Sequence, residues 1–279
     1  MKIKAHAKIN VGLDVVSKRE DGYHELCMVM LPIELHDLID IEPAPFASFK
    51  CTPPYKIRPE KNTLLKAIEV CREARPFTQQ FRIHLRKVIP SQAGLGGGSS
   101  DAAAVINYLD QYFQWKLSAE EKIALAVKVG ADVPFCLFNK PAIVKGIGEK
   151  LSFFEMTTPL NLLLVQPHRG VSTKLAFKDL DIPHLEHPKM EDIALALTEG
   201  DEEALYEVMG NSLEPKAISL VPEIAVIKNE LIDYGLDFAM MTGSGSVVMG
   251  FSQDIGVLHR AAKDLKVQYR FVKMTKVLE

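Results

Sequence analysis

The chain has 279 residues, 47% hydrophobic and 25% charged, with a formal net charge of −3 at pH 7. That length accommodates one large domain or two modest ones, each with its own core, while the near-balanced charge gives no electrostatic footprint for nucleic acid. No apolar leader follows Met1, no run approaches the ~18 apolar residues of a membrane span, and the four cysteines, Cys27, Cys51, Cys71 and Cys136, lack zinc or disulfide spacing, so a reduced cytoplasmic protein with no nucleic-acid or membrane partner is expected.

Residues 3 to 15 alternate strictly and predict one long strand or two in succession. Ile3, Ala5, Ala7, Ile9, Val11, Leu13 and Val15 share one face, and Lys4, His6, Lys8, Asn10 and Asp14 the other. Glu20-Asp21-Gly22 is a turn signal, followed by strand patterns near 25–35 and 37–42. The proline-rich stretch 43–59 reads as loop with short extended pieces. Asn62 or Thr63 caps a helix running to about residue 74, and Phe81, Ile83 and Leu85 alternate as a strand.

Helix is expected from about 98 to 113. Ser118-Ala119-Glu120-Glu121 forms a capping box for a helix ending at Gly130. A strand near 141–145 precedes a bend at Gly146–Glu149, and residues 152–160 make the best linker. Leu162–Val165 has a buried-strand pattern. Helices follow at about 190–208 and 222–234, then two strands flanking Thr242–Ser246, a helix near 254–265 and a last strand at Val267–Met274. Strands and helices mix without a regular βαβ period, so the class is α+β.

The densest chemical signal lies at Pro90-Ser91-Gln92-Ala93-Gly94-Leu95-Gly96-Gly97-Gly98-Ser99-Ser100-Asp101. Four glycines in five positions let a backbone pass close to a ligand. The helix that follows offers unpaired N–H groups to an anion. A phosphate cradle, and hence a nucleotide, is the economical reading. No lysine follows the glycines as a P-loop requires, and Ser99 stands where the third glycine of a dinucleotide fingerprint belongs. A plain strand-to-helix turn remains the alternative.

This stretch strongly resembles the phosphate loop of the GHMP kinases. The resemblance implies a two-domain α+β fold: a ribosomal-protein S5 domain 2-like N-terminal domain at 1–156 and a ferredoxin-like C-terminal domain at 157–279. It also implies ATP and Mg²⁺, a small-molecule acceptor, and a monomer or homodimer. Ala7-Lys8-Ile9-Asn10 looks like the family's lysine element, and Gly130-Ala131-Asp132-Val133-Pro134 resembles the segment that carries its base. By that likeness Asp132 takes the acceptor proton while Lys8 favours the carboxylate and the charge that develops in transfer. Taken alone, Asp132 is equally a helix-end residue and Lys8 a solvated strand lysine.

Asp21-Gly22-Tyr23-His24 resembles a hallmark of the branch that phosphorylates the 2-hydroxyl of a cytidine-diphosphate conjugate of a methylated tetrol. There His24 would bond the cytosine edge and Tyr23 stack on it, with Phe177 as a second aromatic and Asn10 on the acceptor portion. A hairpin turn before a half-buried aromatic is the bland reading. Asn62 and Lys87 match positions used around adenine and ribose; Asn62 is also a helix cap, and Lys87 equally a surface strand residue. Thr242-Gly243-Ser244-Gly245-Ser246 resembles the third, C-terminal motif, otherwise a hairpin turn. Asp101 and its neighbouring serines are candidates beside Mg²⁺, whose ligands the sequence leaves unassigned.

Asn139-Lys140 stands where the branch usually shows two glycines, Ser212 where it often carries Asp, and Val247–Gly250 lacks the usual Phe. Two other functions fit parts of the pattern. A GHMP-type kinase of another small alcohol is disfavoured by Asp21–His24, and a catalytically silent nucleotide-binding regulator by the retention of Lys8 and Asp132.

Overall fold

The computed structural model describes residues 1–53, 62–157 and 159–278. Much of the expected loop at 43–59, and one residue of the expected linker at 152–160, lie outside the described residues. In chain order the N-terminal elements are β1 (Lys2–Lys18), β2 (His24–Ala44), β3 (Ser48–Thr52), α1 (Thr63–Ala74), β4 (Gln80–Arg86), α2 (Gly97–Phe113), α3 (Ala119–Val129) and α4 (Val133–Phe138). Next come β5 (Ala142–Gly146), β6 (Lys150–Phe153), β7 (Asn161–Gln166), α5 (Thr173–Ala176), α6 (Met190–Glu199), α7 (Glu202–Val208) and β8 (Gly210–Asn211). The chain finishes with α8 (Glu214–Leu220), α9 (Glu223–Asp233), β9 (Phe238–Met241), β10 (Val248–Phe251), α10 (Ile255–Gln268) and β11 (Phe271–Lys276).

Two compact units divide these elements, and β1 and β2 contribute to both. One comprises Met1–Lys8, Leu35–Pro90 and Gly96–Asn139; the other comprises Ile9–Glu34, Ser91–Leu95 and Lys140–Glu279. The chain therefore does not fall into compact units by one cut.

In the first unit the strand order is β3-β4-β2-β1. Strand β4 pairs antiparallel with β2 through Ile83 opposite Ile41, and parallel with β3 through Ile83 opposite Phe49. Helix α1 packs on α2 and α3, and α2 also packs on α4. Their buried faces carry Leu64, Ala67, Ile68, Val105, Ile106 and Leu109, the i, i+3, i+4 spacing of an amphipathic helix. The expected capping box holds: Glu121 N–H donates to Ser118 Oγ at 3.2 Å, and Ser118 N–H to Glu121 Oε2 at 2.8 Å.

In the second unit β2 pairs antiparallel with β5, β5 with β6, and β1 in parallel with β8 at Gly12 and Leu13. A separate antiparallel sheet has the order β11-β7-β10-β9. Helix α10 covers β7 and β11, while α9 covers β9 and β10, giving the expected ferredoxin-like layering. Strand β7 is buried along Leu162–Gln166, which explains its unbroken apolar run.

Several boundaries differ from expectation. Residues 25–42 form one strand rather than two, because β2 extends unbroken across both of the patterns read there. The helix expected at 190–208 divides at Gly200, whose φ of 78° terminates α6 before Asp201 caps α7. Part of the expected linker is β6, and the short α4 and α8 carried too few turns to show a helical period.

Candidate functional site

In the first unit the glycine loop enters α2 through Gly96, whose φ of 66° is left-handed and whose N-cap position carries no side-chain cap. The first amides of a 17-residue helix are thus left for a ligand. A Cβ on Gly96 would sit 2.9 Å from Lys8 Cγ, one on Gly97 2.8 Å from Ile89 Cγ2 and 3.2 Å from Lys87 Nζ, and one on Gly98 2.9 Å from Thr63 Oγ1. The triple glycine is therefore a requirement of close backbone approach on three sides.

Asn62 caps α1, its Oδ1 accepting from Leu64 N–H at 2.9 Å, and Thr63 Oγ1 donates to the Gly98 carbonyl at 2.6 Å. Ser100 has a structural part: its buried hydroxyl donates to the His6 carbonyl at 2.6 Å, and its N–H is taken by Gly96. Ser99 and Gly98 remain accessible at the helix start, and Pro90 is half-buried. Lys87 is not a surface residue. Its ammonium donates to Asp101 Oδ2 at 2.8 Å and also pairs with Asp37. Burial pushes the Asp101 carboxyl up to about 7 against the pull of Lys87. Burial opposes the charge on Lys87, but the two carboxylates outweigh it and raise its pKa.

Lys8 lies on the polar face of β1 yet is only 3% exposed, since the glycine loop crosses its stem. Its Nζ stands 3.6 Å from Asp132 Oδ2. Asp132 occupies the N-cap of α4 but makes no capping hydrogen bond, and its side chain is 34% exposed. The helix-end reading gives its position; the carboxylate itself is left for other chemistry. A carboxylate, an ammonium and an uncapped helix start are thereby assembled within one unit.

The second unit gathers the remaining candidates. Ser91–Leu95 runs beside the third motif: the Gln92 carbonyl accepts from Ser246 N–H at 3.3 Å, and that of Ala93 from Val247 N–H at 3.2 Å. A Cβ on Gly94 would collide with the Thr242 carbonyl, so two glycine-bearing loops lie backbone to backbone. Ala93 and Leu95 bury their side chains in the core, whereas Ser91 and Gln92 are exposed. Asn10 N–H donates to Thr242 Oγ1 at 2.8 Å, and Asn10 is fully buried, with its Oδ1 facing Gly243. Asn211 Nδ2 donates to the Met241 and Gly243 carbonyls, bracing the same loop.

His24 and Phe177 come together across 153 positions of sequence, with ring centroids 5.1 Å apart and planes at 35°. Burial, then the charge of Lys18, lowers the His24 pKa and so favours the neutral ring. Tyr23 is 61% exposed, following a turn in which its N–H donates to Asp21 Oδ1 at 3.0 Å.

The departures from the family pattern have local reasons. Asn139 ends α4 at φ 49°, ψ 49°, a left-handed geometry that Asn accepts where glycine is usual. The Ser212 hydroxyl is buried within 2.6 Å of the Glu186 carbonyl and 3.1 Å of Asp14 Oδ1, and Asp14 also pairs with His187 at 2.6 Å. Sequence reasoning overlooked Thr63, Asp37 and Asn211 as parts of the site's frame. Asp37, a carboxylate in an apolar strand, was the one detectable signal.

No helix among the described residues is long and apolar enough to cross a membrane. Residues 62–140 match the profile of the GHMP kinases N terminal domain, and residues 193–267 that of the GHMP kinases C terminal domain. The 4-diphosphocytidyl-2-C-methyl-D-erythritol kinase of Clostridium botulinum is 37% identical over 100% of both chains. That of Caldanaerobacter subterraneus is 40% identical over 100% of this chain and 97% of its own. A crystal structure of 4-(cytidine 5'-diphospho)-2C-methyl-D-erythritol kinase superposes with a TM-score of 0.84 at 33% identity, covering 100% of each chain. A crystal structure of L. major mevalonate kinase superposes at 0.74 with 17% identity over 99% of this chain and 95% of its own, a likeness of fold alone. With both kinase domains matched and full-length identity well above what fold alone carries, the chain belongs to the GHMP kinases and, among them, to the 4-diphosphocytidyl-2-C-methyl-D-erythritol kinase family.

Proposed function

We propose that this ATP-dependent kinase transfers the γ-phosphoryl group of ATP to the 2-hydroxyl of 4-diphosphocytidyl-2-C-methyl-D-erythritol, giving the 2-phosphate and ADP in isoprenoid precursor synthesis. What carries this reading is the Lys8–Asp132 pair, 3.6 Å apart, beneath a glycine loop that leaves the start of α2 uncapped. Asp132 takes the proton of the acceptor hydroxyl as its oxygen bonds to the γ-phosphorus and the bond to the β-bridging oxygen breaks. Lys8 offsets the charge on the carboxylate and on the transferring group. Gly96–Gly98 and Ser99 receive the phosphates, while Asn62, Lys87 and Pro90 frame the nucleoside side.

On the acceptor side His24 hydrogen-bonds the base edge and Phe177 supplies its stacking face, with Tyr23 at the rim; the 5.1 Å ring contact supports this assignment. Asn10, set beneath Gly243, is assigned to the acceptor portion of the substrate. Among the described residues no group of three or more His, Cys, Asp or Glu side chains could hold a metal ion, and one oxygen of Asp101 accepts from Lys87. Among the described residues the side chains thus form no all-protein Mg²⁺ cage, and an ion there would take most of its oxygens from water and the substrate phosphates. Domains at 1–156 and 157–279 are retained in this proposal, since the two kinase profiles fall on either side of that boundary. So is a cytoplasmic monomer or homodimer without nucleic-acid or membrane partners, in keeping with a net charge of −3.

The test is ATP consumption with the cytidyl conjugate against homoserine, mevalonate and galactose. Turnover of the conjugate alone is expected. Turnover of only one of the other three would overturn the substrate, and ATP binding without any turnover would overturn the catalytic reading.

A further inference from the structure

Ala176, at the end of α5, and Met190, at the start of α6, are both buried, and no residue between them is. The segment 177–189 carries Phe177 at its head. Without buried side chains of its own, it is held by what its edges touch. Its polar links to the rest of the unit are made at Glu186 and His187. The Glu186 carbonyl accepts from the Ser212 hydroxyl at 2.6 Å, and His187 Nδ1 lies 2.6 Å from Asp14 Oδ1 on β1. Pro188 packs on β8, where a Cβ on Gly210 would lie 3.1 Å from Pro188 Cβ. All these residues, with His24 facing Phe177, belong to the second compact unit.

The His187 ring has an acceptor on each side. Its Nε2 stands 3.1 Å from the Ile182 carbonyl and its Nδ1 faces the Asp14 carboxylate, neither of which has a proton to give. Both ring nitrogens therefore donate, as only the imidazolium can. The hydrogen bond to Asp14, against desolvation and with the help of the Asp14 charge, raises the His187 pKa above the ordinary 6.5. The tie is thus complete below pH 6.5 and is lost as pH rises through the raised value. Elsewhere around Asp14, Lys145 of β5 pairs with Glu191 of α6 at 3.2 Å, and both act with Asp14 on the Cys27 thiol of β2. On the segment itself His184 pairs with Asp181 at 3.0 Å, and Glu186 and Lys189 are exposed.

We propose that His187 is a positioning residue for the acceptor: its ion pair with Asp14 holds the segment that carries Phe177, and with it the stacking face offered to cytosine. The inference rests on the assignment of Phe177 to the cytosine ring made above.

The experiment sets wild type beside His187→Gln, His187→Lys and Asp14→Asn from about pH 6 to 9. Titrations with cytidine 5′-diphosphate and with a non-hydrolysable ATP analogue read binding without turnover, and steady-state kinetics with the cytidyl conjugate separate KM from kcat. At pH 6, His187→Gln and Asp14→Asn should weaken cytidine 5′-diphosphate by about two- to tenfold, the range of a charge-assisted contact between side chains 42% and 15% exposed. KM for the conjugate should rise alike, with kcat and ATP-analogue affinity within twofold of wild type. Wild-type affinity should fall to the His187→Gln level as pH rises through the His187 pKa, whereas His187→Lys, charged throughout, should hold the tighter value. Titration of His24 or of the ligand phosphate gives a step common to every variant. Losses below twofold at pH 6, parallel pH profiles for wild type and His187→Gln, or equal losses for both ligands would overturn the proposal. Where a variant does not fold, hydrogen exchange over 178–189 in the wild type decides. Protection corrected for the intrinsic rate should drop as pH rises, and constant protection would overturn the tie. A wild type that neither binds cytidine 5′-diphosphate nor turns over the conjugate would overturn the cytosine assignment itself; an active wild type with unaltered variants would overturn the role of His187 alone.

Discussion

Replacing Asp132 by Asn separates chemistry from binding. The side chain makes no capping hydrogen bond, and Asn keeps its shape, so α4 has nothing to lose at its start. What disappears is the charge facing Lys8 at 3.6 Å, an attraction of about 1 kcal/mol in water and about 4–5 kcal/mol at an effective dielectric near 20. Asp132 is 34% exposed but the Lys8 side chain only 4%, so the loss falls between those limits, and the fold should survive with lowered stability. Removing a general base should lower kcat by ~10²–10⁴, or about 3–5 kcal/mol of barrier. The assay is kcat by coupled ADP release, beside calorimetric titration of an ATP analogue, in wild type, Asp132→Asn, Lys8→Met and the double variant. Because the two groups act as a unit, the double variant should be little worse than the poorer single one. A kcat for Asp132→Asn within tenfold of wild type would refute the base assignment. So would a collapse of analogue binding, which would make Asp132 a structural residue.

Three further outcomes follow from the geometry. Phe177→Ala should raise KM for the cytidyl conjugate by the ~1–3 kcal/mol of a lost stacking face while leaving KM for ATP unchanged; equal rises for both substrates would remove Phe177 from the cytosine site. Gly96→Ala places a Cβ at φ 66° and 2.9 Å from Lys8 Cγ, so it should cost ~1–2 kcal/mol of stability from the left-handed backbone and lower kcat by moving Lys8; denaturant melts and kinetics indistinguishable from wild type would contradict the close approach. Asp101, with a folded pKa raised from 3.8 to about 7, favours the folded state fully below pH 3.8 and loses that contribution as pH rises through about 7. Denaturation between pH 4 and 7 should therefore show wild type losing stability with rising pH relative to Asp101→Asn; parallel pH profiles would mean that Asp101 is not buried as described.

Local chemistry carried much of the reading. Strand β1 followed from alternation, α1 from the Asn62 cap, α3 from its capping box and the close-packed entry to α2 from four glycines. Each of these signals operates within a few residues, where backbone geometry and short-range hydrogen bonds decide. Lys8 and Asp132 were singled out by likeness alone, since a strand lysine and a helix-end aspartate look the same whether or not they meet.

Their meeting depends on the fold. The glycine loop crosses the Lys8 stem because Gly96 lacks a Cβ, and only that crossing buries an ammonium that alternation had assigned to the solvated face. Lys87 reads as a surface residue until Asp37 and Asp101, 50 positions before it and 14 after it, converge on its ammonium. His24 reaches Phe177, Asn10 reaches Thr242 and Gln166 reaches Ser91 through contacts that no window of sequence contains. The sequence by itself pointed to a phosphate loop and to side chains with suitable chemistry. The tertiary structure alone decided which charges face one another and which lose their water, because desolvation and Coulomb attraction depend on distance in space rather than along the chain.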